Sequence, residues 1–250
     1  MAIDRFDPKE AEAFAGYSAE VSDHFYELLG ELGERLSIEV LGLENLPEGR
    51  AMLVANHAFG WDVGFAVAAI RRETGRTVWA LGEHAWWLFP FVRKVAAKVG
   101  VVDGTQANAG ALLDRDELVL VLPGGLRESM KPRELRYRLL WGDRYGFVRA
   151  ALAHHAPLVP LASIGADDVF RLVGDAFARG ERLLHRRIPI PRLRWPRVAK
   201  LRFVVGEPVR PVALPDEAEE ATVKRTRREV EGALHELIDR ELARRAGIQL

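Results

Sequence analysis

The chain is expected to fold as an α/β domain around a mostly parallel central sheet flanked by helices. Three observations carry that expectation. Short apolar runs alternate with stretches of helical periodicity along most of the 250 residues, the rhythm of strand–helix units. Two of these runs, Ala51 to Ala55 (AMLVA) and Glu117 to Leu122 (ELVLVL), lack the apolar/polar alternation of a half-exposed strand, which suits strands covered on both faces. The length sits at the top of the single-domain range and favours one large core over a tandem array.

Residues 8 to 35 are rich in Ala, Glu and Leu. They place Phe14, Val21, Phe25, Leu28, Leu29 and Leu32 at helical intervals, which predicts an acidic amphipathic helix ended with the help of Gly33. Ser37 to Gly42 alternates like a strand, and Asn45-Leu46-Pro47-Glu48-Gly49 reads as a turn before AMLVA. A helix fits Asp62 to Arg72, a strand Thr77 to Leu81, and an apolar helix Trp86 to Val99 with Pro90 interrupting its entry. Ala109 to Leu113 belongs to a further helix. After ELVLVL, Phe147 to His155 reads as a helix and Leu158 to Ser163 as a strand.

From Arg179 to Arg202 nine basic residues face one acid, Glu181, and three prolines exclude a regular helix, so this stretch is expected to project as an arm. A last strand, Lys200 to Val205, leads to a closing helix from Asp216 to Arg245, whose stripe of Val223, Val230, Leu234, Leu237, Ile238 and Leu242 suits a core or dimer contact. The expected organisation is an N-terminal helical segment, residues 1–36, and one domain over 37–250 that carries the arm (179–200) and the closing helix (216–245).

Composition removes several function classes. Without cysteine there is no disulfide framework, thiolate nucleophile or Cys-ligated metal. Lys plus Arg equals Asp plus Glu at 36 each, which argues against a uniformly basic nucleic-acid binder. The balance is a cancellation: residues 1–50 carry 4 basic and 12 acidic side chains, residues 51–213 carry 25 and 15. The opening residues lack the pattern of a secretory signal and no 18-residue apolar run occurs, so a cytoplasmic address with contact at the membrane surface is the expectation.

AMLVA runs directly into Asn56 and His57, with Asp62 following near a helix start. In one reading His57 is a general base and Asp62 fixes its tautomer and stabilises the imidazolium formed. In a second, His57 is a surface residue and Asp62 a helix N-cap; a metal pair is a third. Likewise, ELVLVL ends in Pro123-Gly124-Gly125-Leu126-Arg127-Glu128, two glycines that let a ligand approach backbone N–H groups, then a guanidinium suited to phosphate or carboxylate. The alternative is a tight turn and a surface arginine. Gly-x-Ser-x-Gly, Walker A and Gly-x-Gly-x-x-Gly motifs are all missing from the sequence. A base without a Ser or Cys nucleophile at hand suits direct attack by a substrate hydroxyl on an activated acyl group.

In these residues the sequence resembles the glycerolipid acyltransferase superfamily. Asn56, His57 and Asp62 match its Asn-His-x4-Asp block. Phe89-Pro90-Phe91-Val92-Arg93 resembles a second block, the Pro-Gly-Gly segment a third and Pro157-Leu158-Val159-Pro160 a fourth. The resemblance implies an O-acyltransferase in which His57, oriented by Asp62, deprotonates the acceptor hydroxyl for attack on the thioester of acyl-CoA or acyl carrier protein. It implies no metal and no further cofactor. Asn56, Arg93, Gly124, Gly125, Arg127 and Glu128 are the candidate substrate-binding residues. Where phosphatidate-forming members read Pro-Glu-Gly-Thr-Arg-Ser, this chain has Gly124, Leu126 and Glu128, which resembles the branch related to acylglycerol acyltransferases. The acceptor stays open between a lysophospholipid and an acylglycerol or other neutral lipid alcohol. A thioester hydrolase and a non-catalytic peripheral lipid-binding protein are the alternatives.

Trp86 and Trp87, in an aromatic cluster beside Arg93, Lys94 and Lys98, suit either a bilayer interface or a core. In the arm, Arg186, Arg187, Arg192, Arg194 and Trp195 are the stronger candidates for contact with anionic lipid, with a CoA phosphate site and a plain solvated loop as alternatives. No nucleic-acid partner is expected.

Overall fold

The computed structural model describes residues 14, 16–58, 62–84, 90–129, 131–172, 191–193 and 200–248. Its strands and helices follow the expected alternation: α1 (Ala19–Arg35), β1 (Glu39–Leu41), β2 (Ala51–Ala55), α2 (Val63–Thr74), β3 (Val78–Gly82), α3 (Pro90–Lys98), β4 (Val101–Asp103), α4 (Gln106–Asp114), β5 (Leu118–Val121), α5 (Gly125–Ser129), α6 (Gly146–Ala153), β6 (Leu158–Ile164), α7 (Ala166–Val169), β7 (Phe170–Leu172), β8 (Pro191–Leu193), β9 (Arg202–Val205) and α8 (Glu219–Arg245).

Seven strands form one sheet in the order β1-β9-β6-β2-β5-β3-β4. Pairing is parallel from β6 through β2, β5 and β3 to β4; β9 pairs antiparallel with β6 and parallel with β1, so one edge pair runs against the rest. Side chains alternate across such a sheet, which is why an unbroken apolar run is needed when both faces are covered. Met52, Val54 and Val119 pack on one face with Leu112, Trp141, Val148 and the α8 residues Val230, Leu234 and Ile238. On the opposite face, Leu53, Leu118 and Leu120 pack with Tyr26 of α1 and with Val63, Val67 and Ile70 of α2. The stripe on α8 is therefore core.

Two expectations are corrected. The N-terminal helix does not run through from residue 8 to 35: α1 starts after Ser18, whose hydroxyl caps the Val21 N–H. Gly33 does not end it, for α1 continues to Arg35. Gly33 is buried facing α2, where a Cβ would lie 3.4 Å from Phe65, an ordinary contact distance. The helix expected over Trp86 to Val99 is α3, described from Pro90 to Lys98, while residues 85–89 lie outside the described residues. β8, within the arm, pairs with β7, which precedes it, in a separate two-stranded antiparallel ladder. None of the described helices is long and apolar enough to cross a membrane.

Candidate active site

Parallel strands bring their carboxyl ends to one rim, and the loops that leave it carry the polar residues. From the end of β2 come Asn56 and His57, from β5 the Pro123-Gly124-Gly125 turn, from β3 Glu83 and His84, and from β6 Gly165, Asp167 and Asp168. His57 lines a cavity of about 900 Å³ whose walls are predominantly apolar. It is walled by Val21 and Phe25 of α1, Val92, Val95 and Ala96 of α3, Val121 and Leu122, and Phe147 and Ala150 of α6. Phe91, 79% exposed, stands at its edge. Its polar part includes Glu83, His84, Lys98, Gln106, Asp143 and Arg144, and His84 Nδ1 lies 2.9 Å from Asp103 Oδ2.

The backbone at His57 is held from both sides. Its N–H donates to Glu128 Oε1 at 2.6 Å and its carbonyl accepts from Lys131 Nζ at 2.8 Å. Glu128 is fully buried and its other oxygen takes the Leu140 N–H at 2.7 Å, so burial pushes its carboxyl up while these two N–H bonds oppose the shift. One residue earlier, the Asn56 amide bonds both ways to the Ser163 backbone: Nδ2 donates to the carbonyl at 2.9 Å, and Oδ1 accepts the N–H at 2.7 Å. Ser163 Oγ donates to Asp62 Oδ2 at 2.6 Å. These bonds tie the end of β2 to β6 and to the last turn of α5.

Burial is the chief cause of a low proton affinity at His57, with the Lys131 and Arg144 charges adding to it, and together they push the imidazole down to about 4. It is therefore neutral at neutral pH. Its Nδ1 is buried without a hydrogen-bond partner among the described residues. The expected Asp62–His57 hydrogen bond is thus not made in this structure. Nor does the Asp62 side chain cap α2; the buried carboxylate turns to Ser163 instead.

A family model described as diacylglycerol acyltransferase matches residues 64–187. That span holds the Pro-Gly-Gly turn and Pro157 to Pro160 and begins just beyond Asp62. A DGAT1/2-independent enzyme synthesizing storage lipids from Mus musculus is 28% identical over 177 residues, 68% of this chain and 52% of that protein. These likenesses support an acyltransferase superfamily for the chain. An uncharacterized protein of Mycobacterium tuberculosis (strain ATCC 25618 / H37Rv) is 35% identical over 143 residues, 55% of this chain and 40% of that one. The chain thus spans about half, or less, of the length of these curated relatives. In fold, it matches the 1-acyl-sn-glycerophosphate (LPA) acyltransferase PlsC from Thermotoga maritima, with a TM-score of 0.54 at 18% identity, over 88% of this chain and 83% of that one.

Within this acyltransferase-type fold the candidate residues separate. His57 and Gly125 line the cavity. Gly125 adopts φ +51°, and a Cβ there would sit 2.6 Å from both Arg144 Nη1 and Glu83 Oε2, so a side chain at 125 would fill the polar part of the site. Five other candidates stand outside the cavity lining. Asn56 and Glu128 are buried and spent on backbone groups. Gly124 is buried because the Glu128 side chain folds over it. Arg127 is exposed and does not line the cavity. Arg93 likewise is exposed on α3 outside the lining. The cations in the cavity lining are Lys98 and Arg144; Arg144 Nη1 donates to the Pro123 carbonyl at 2.6 Å and so also braces the Pro-Gly-Gly turn.

Sequence reading missed Arg144, Lys131, Ser163 and Asp167, because nothing in their local spacing marks them. Trp86, Trp87, Arg186, Arg187, Arg194 and Trp195 lie outside the described residues, as does the side chain of Arg192. No group of three or more His, Asp or Glu side chains able to hold a metal occurs among the described residues.

Proposed function

We propose that the protein is an O-acyltransferase that moves a fatty acyl group from an acyl-CoA or acyl carrier protein thioester to the hydroxyl of a lipid alcohol. The observation that carries this reading is a neutral histidine at the wall of a large apolar cavity, with a glycine turn and a guanidinium alongside it. The cavity takes the acyl chain and leaves its carbonyl in the polar part. His57 accepts the acceptor's hydroxyl proton as the oxygen attacks the thioester carbon. Collapse of the tetrahedral intermediate expels the thiolate, which takes the proton back from the imidazolium. Asp62 supplies a buried negative charge in the same corner to stabilise that cation. Arg144 and the backbone at Gly125 supply positive potential where the oxyanion forms.

Of the two acceptor classes, a neutral acylglycerol or similar alcohol is favoured. The family match and the mouse relative's description support this preference, and Arg127 of the Pro-Gly-Gly segment is exposed outside the cavity lining. Val21, Phe91 and Val95 are 40%, 79% and 46% exposed and all border the cavity, a ridge suited to reversible contact with a bilayer on the cytoplasmic side.

The test is release of free thiol from long-chain acyl-CoA with a panel of acylglycerols, lysophospholipids and long-chain alcohols. Acceptor-dependent release that disappears in His57→Ala is expected. Release at the same rate without acceptor would instead identify a thioester hydrolase, and sedimentation with liposomes without turnover of any donor a lipid-binding protein.

A further inference from the structure

Lys131 is an unusual residue to find inside a protein: its side chain is 2% exposed, and Nζ lies 3.0 Å from Asp167 Oδ1, itself 7% exposed. Taking an ammonium and a carboxylate out of water costs several kcal/mol per ion, and their attraction repays that only with good geometry. A single peptide carbonyl could be satisfied by a neutral donor or a water at far lower cost. Here the ammonium is placed on the carbonyl of His57. The other half of the pair is anchored as well. Asp167 Oδ2 accepts the Tyr137 N–H at 2.6 Å. The adjacent Asp168 accepts from Arg136 Nη1 at 2.5 Å, from the Tyr137 hydroxyl at 2.7 Å and from Arg245 of α8 at 3.1 Å.

We propose that Lys131, locked by Asp167, is a positioning residue for His57, fixing the peptide from which the imidazole projects into the cavity. This rests on the reading of His57 as the base. The loop after β2 has no ladder of its own at residue 57, and misplacing a reacting group by about 1 Å can cost ~10²-fold in rate. Lys131 also sets the charge environment. The charged groups around His57 are Lys131 and Arg144 on one side, and the carboxylates Asp62, Glu128 and Asp167 on the other. Each carboxylate already holds a partner: Ser163 Oγ, two backbone N–H groups, and Lys131 itself. The two cations therefore oppose protonation of the imidazole, in the same direction as its burial.

The experiment compares thermal melts, kcat and KM at pH 7.5, and the pH dependence of kcat/KM from about pH 3 to 9. The variants are His57→Ala, Lys131→Met, Lys131→Met with Asp167→Asn, and Lys131→Arg. In Lys131→Met and in the charge-free double variant, kcat is expected to fall about 100-fold with KM changed less than about twofold. The acid limb should move up by about one pH unit; since loosened packing would also lift it, Lys131→Arg, which disturbs the packing but keeps the charge, isolates the part due to the cation. Lys131→Arg keeps the charge but not the reach; it should keep the wild-type limb and lose about tenfold in kcat. Lys131→Met leaves a buried carboxylate unpaired, so if it fails to fold, the double variant and Lys131→Arg decide. Wild-type kcat in either, or an acid limb unmoved in the folded double variant, overturns the proposal. Wild-type activity in His57→Ala overturns the reading of the base instead, and an inactive His57→Ala beside a fully active double variant overturns the positioning role alone.

Discussion

Replacing His57 with Asn should remove most of the protein's acid sensitivity near pH 6, and the size of the effect follows from the site. In the folded chain the imidazole is pushed down from 6.5 to about 4 by burial and by the Lys131 and Arg144 charges. Unfolding returns it to its ordinary value. As pH falls through 6.5 the unfolded chain takes up a proton that the folded chain refuses until about pH 4. This contribution to stability is therefore present above 6.5 and is lost as pH falls through that window, where the unfolded state binds more protons. The gap amounts to about 3 kcal/mol in full, and about 2 kcal/mol of it is lost between pH 7.5 and 5. Urea unfolding followed by circular dichroism at those two pH values measures it. Wild type should lose about 2 kcal/mol more on acidification than His57→Asn, a shift of roughly 0.7 M urea for an m-value of about 3 kcal/mol/M. Equal losses in the two proteins would show that His57 is not held neutral by its surroundings, and the argument for its state in the resting site would fail.

Other expectations concern the cavity and the turn beside it. Arg144→Ala should lower kcat/KM about 100-fold, since removing a charge-assisted partner costs about 3 kcal/mol, while Arg127→Ala should stay within about threefold of wild type; initial rates with one acceptor compare them. Gly124→Ala would drive a methyl into the Glu128 side chain and displace it from the His57 N–H. An overpacking cost of about 2 kcal/mol should lower Tm by about 6 °C in a circular dichroism melt. Ala150→Phe should narrow the cavity and move preference toward shorter acyl chains. Each methylene no longer accommodated is worth about 0.8 kcal/mol, or about fourfold in kcat/KM across a series of acyl-CoA lengths.

Element order and the position of His57 at a strand end were legible because they rest on local pattern. AMLVA and ELVLVL had to be covered on both faces, and both sit in mid-sheet with apolar neighbours on either side. Even the break before α1 had a local signal, for Ser18 is a good N-cap, but the helical spacing of Phe14 and Val21 outweighed it. The polar residues fared differently. Arg127 and Arg144 look alike in the sequence, yet one stands exposed in solvent and the other on the cavity wall.

What the sequence determined by itself, then, is the α/β alternation, the buried strands and the rim to which His57 and the glycine turn belong, since hydrophobic periodicity and strand ends are properties of neighbouring residues. Only the tertiary structure decided what each polar group does there. Glu128 and Asn56 point inward to backbone groups, Asp62 to Ser163, and Lys131 meets an aspartate from the far side of β6. Those partners are joined by the order of strands in the sheet, and which charges are buried together depends on contacts between segments that no local spacing encodes.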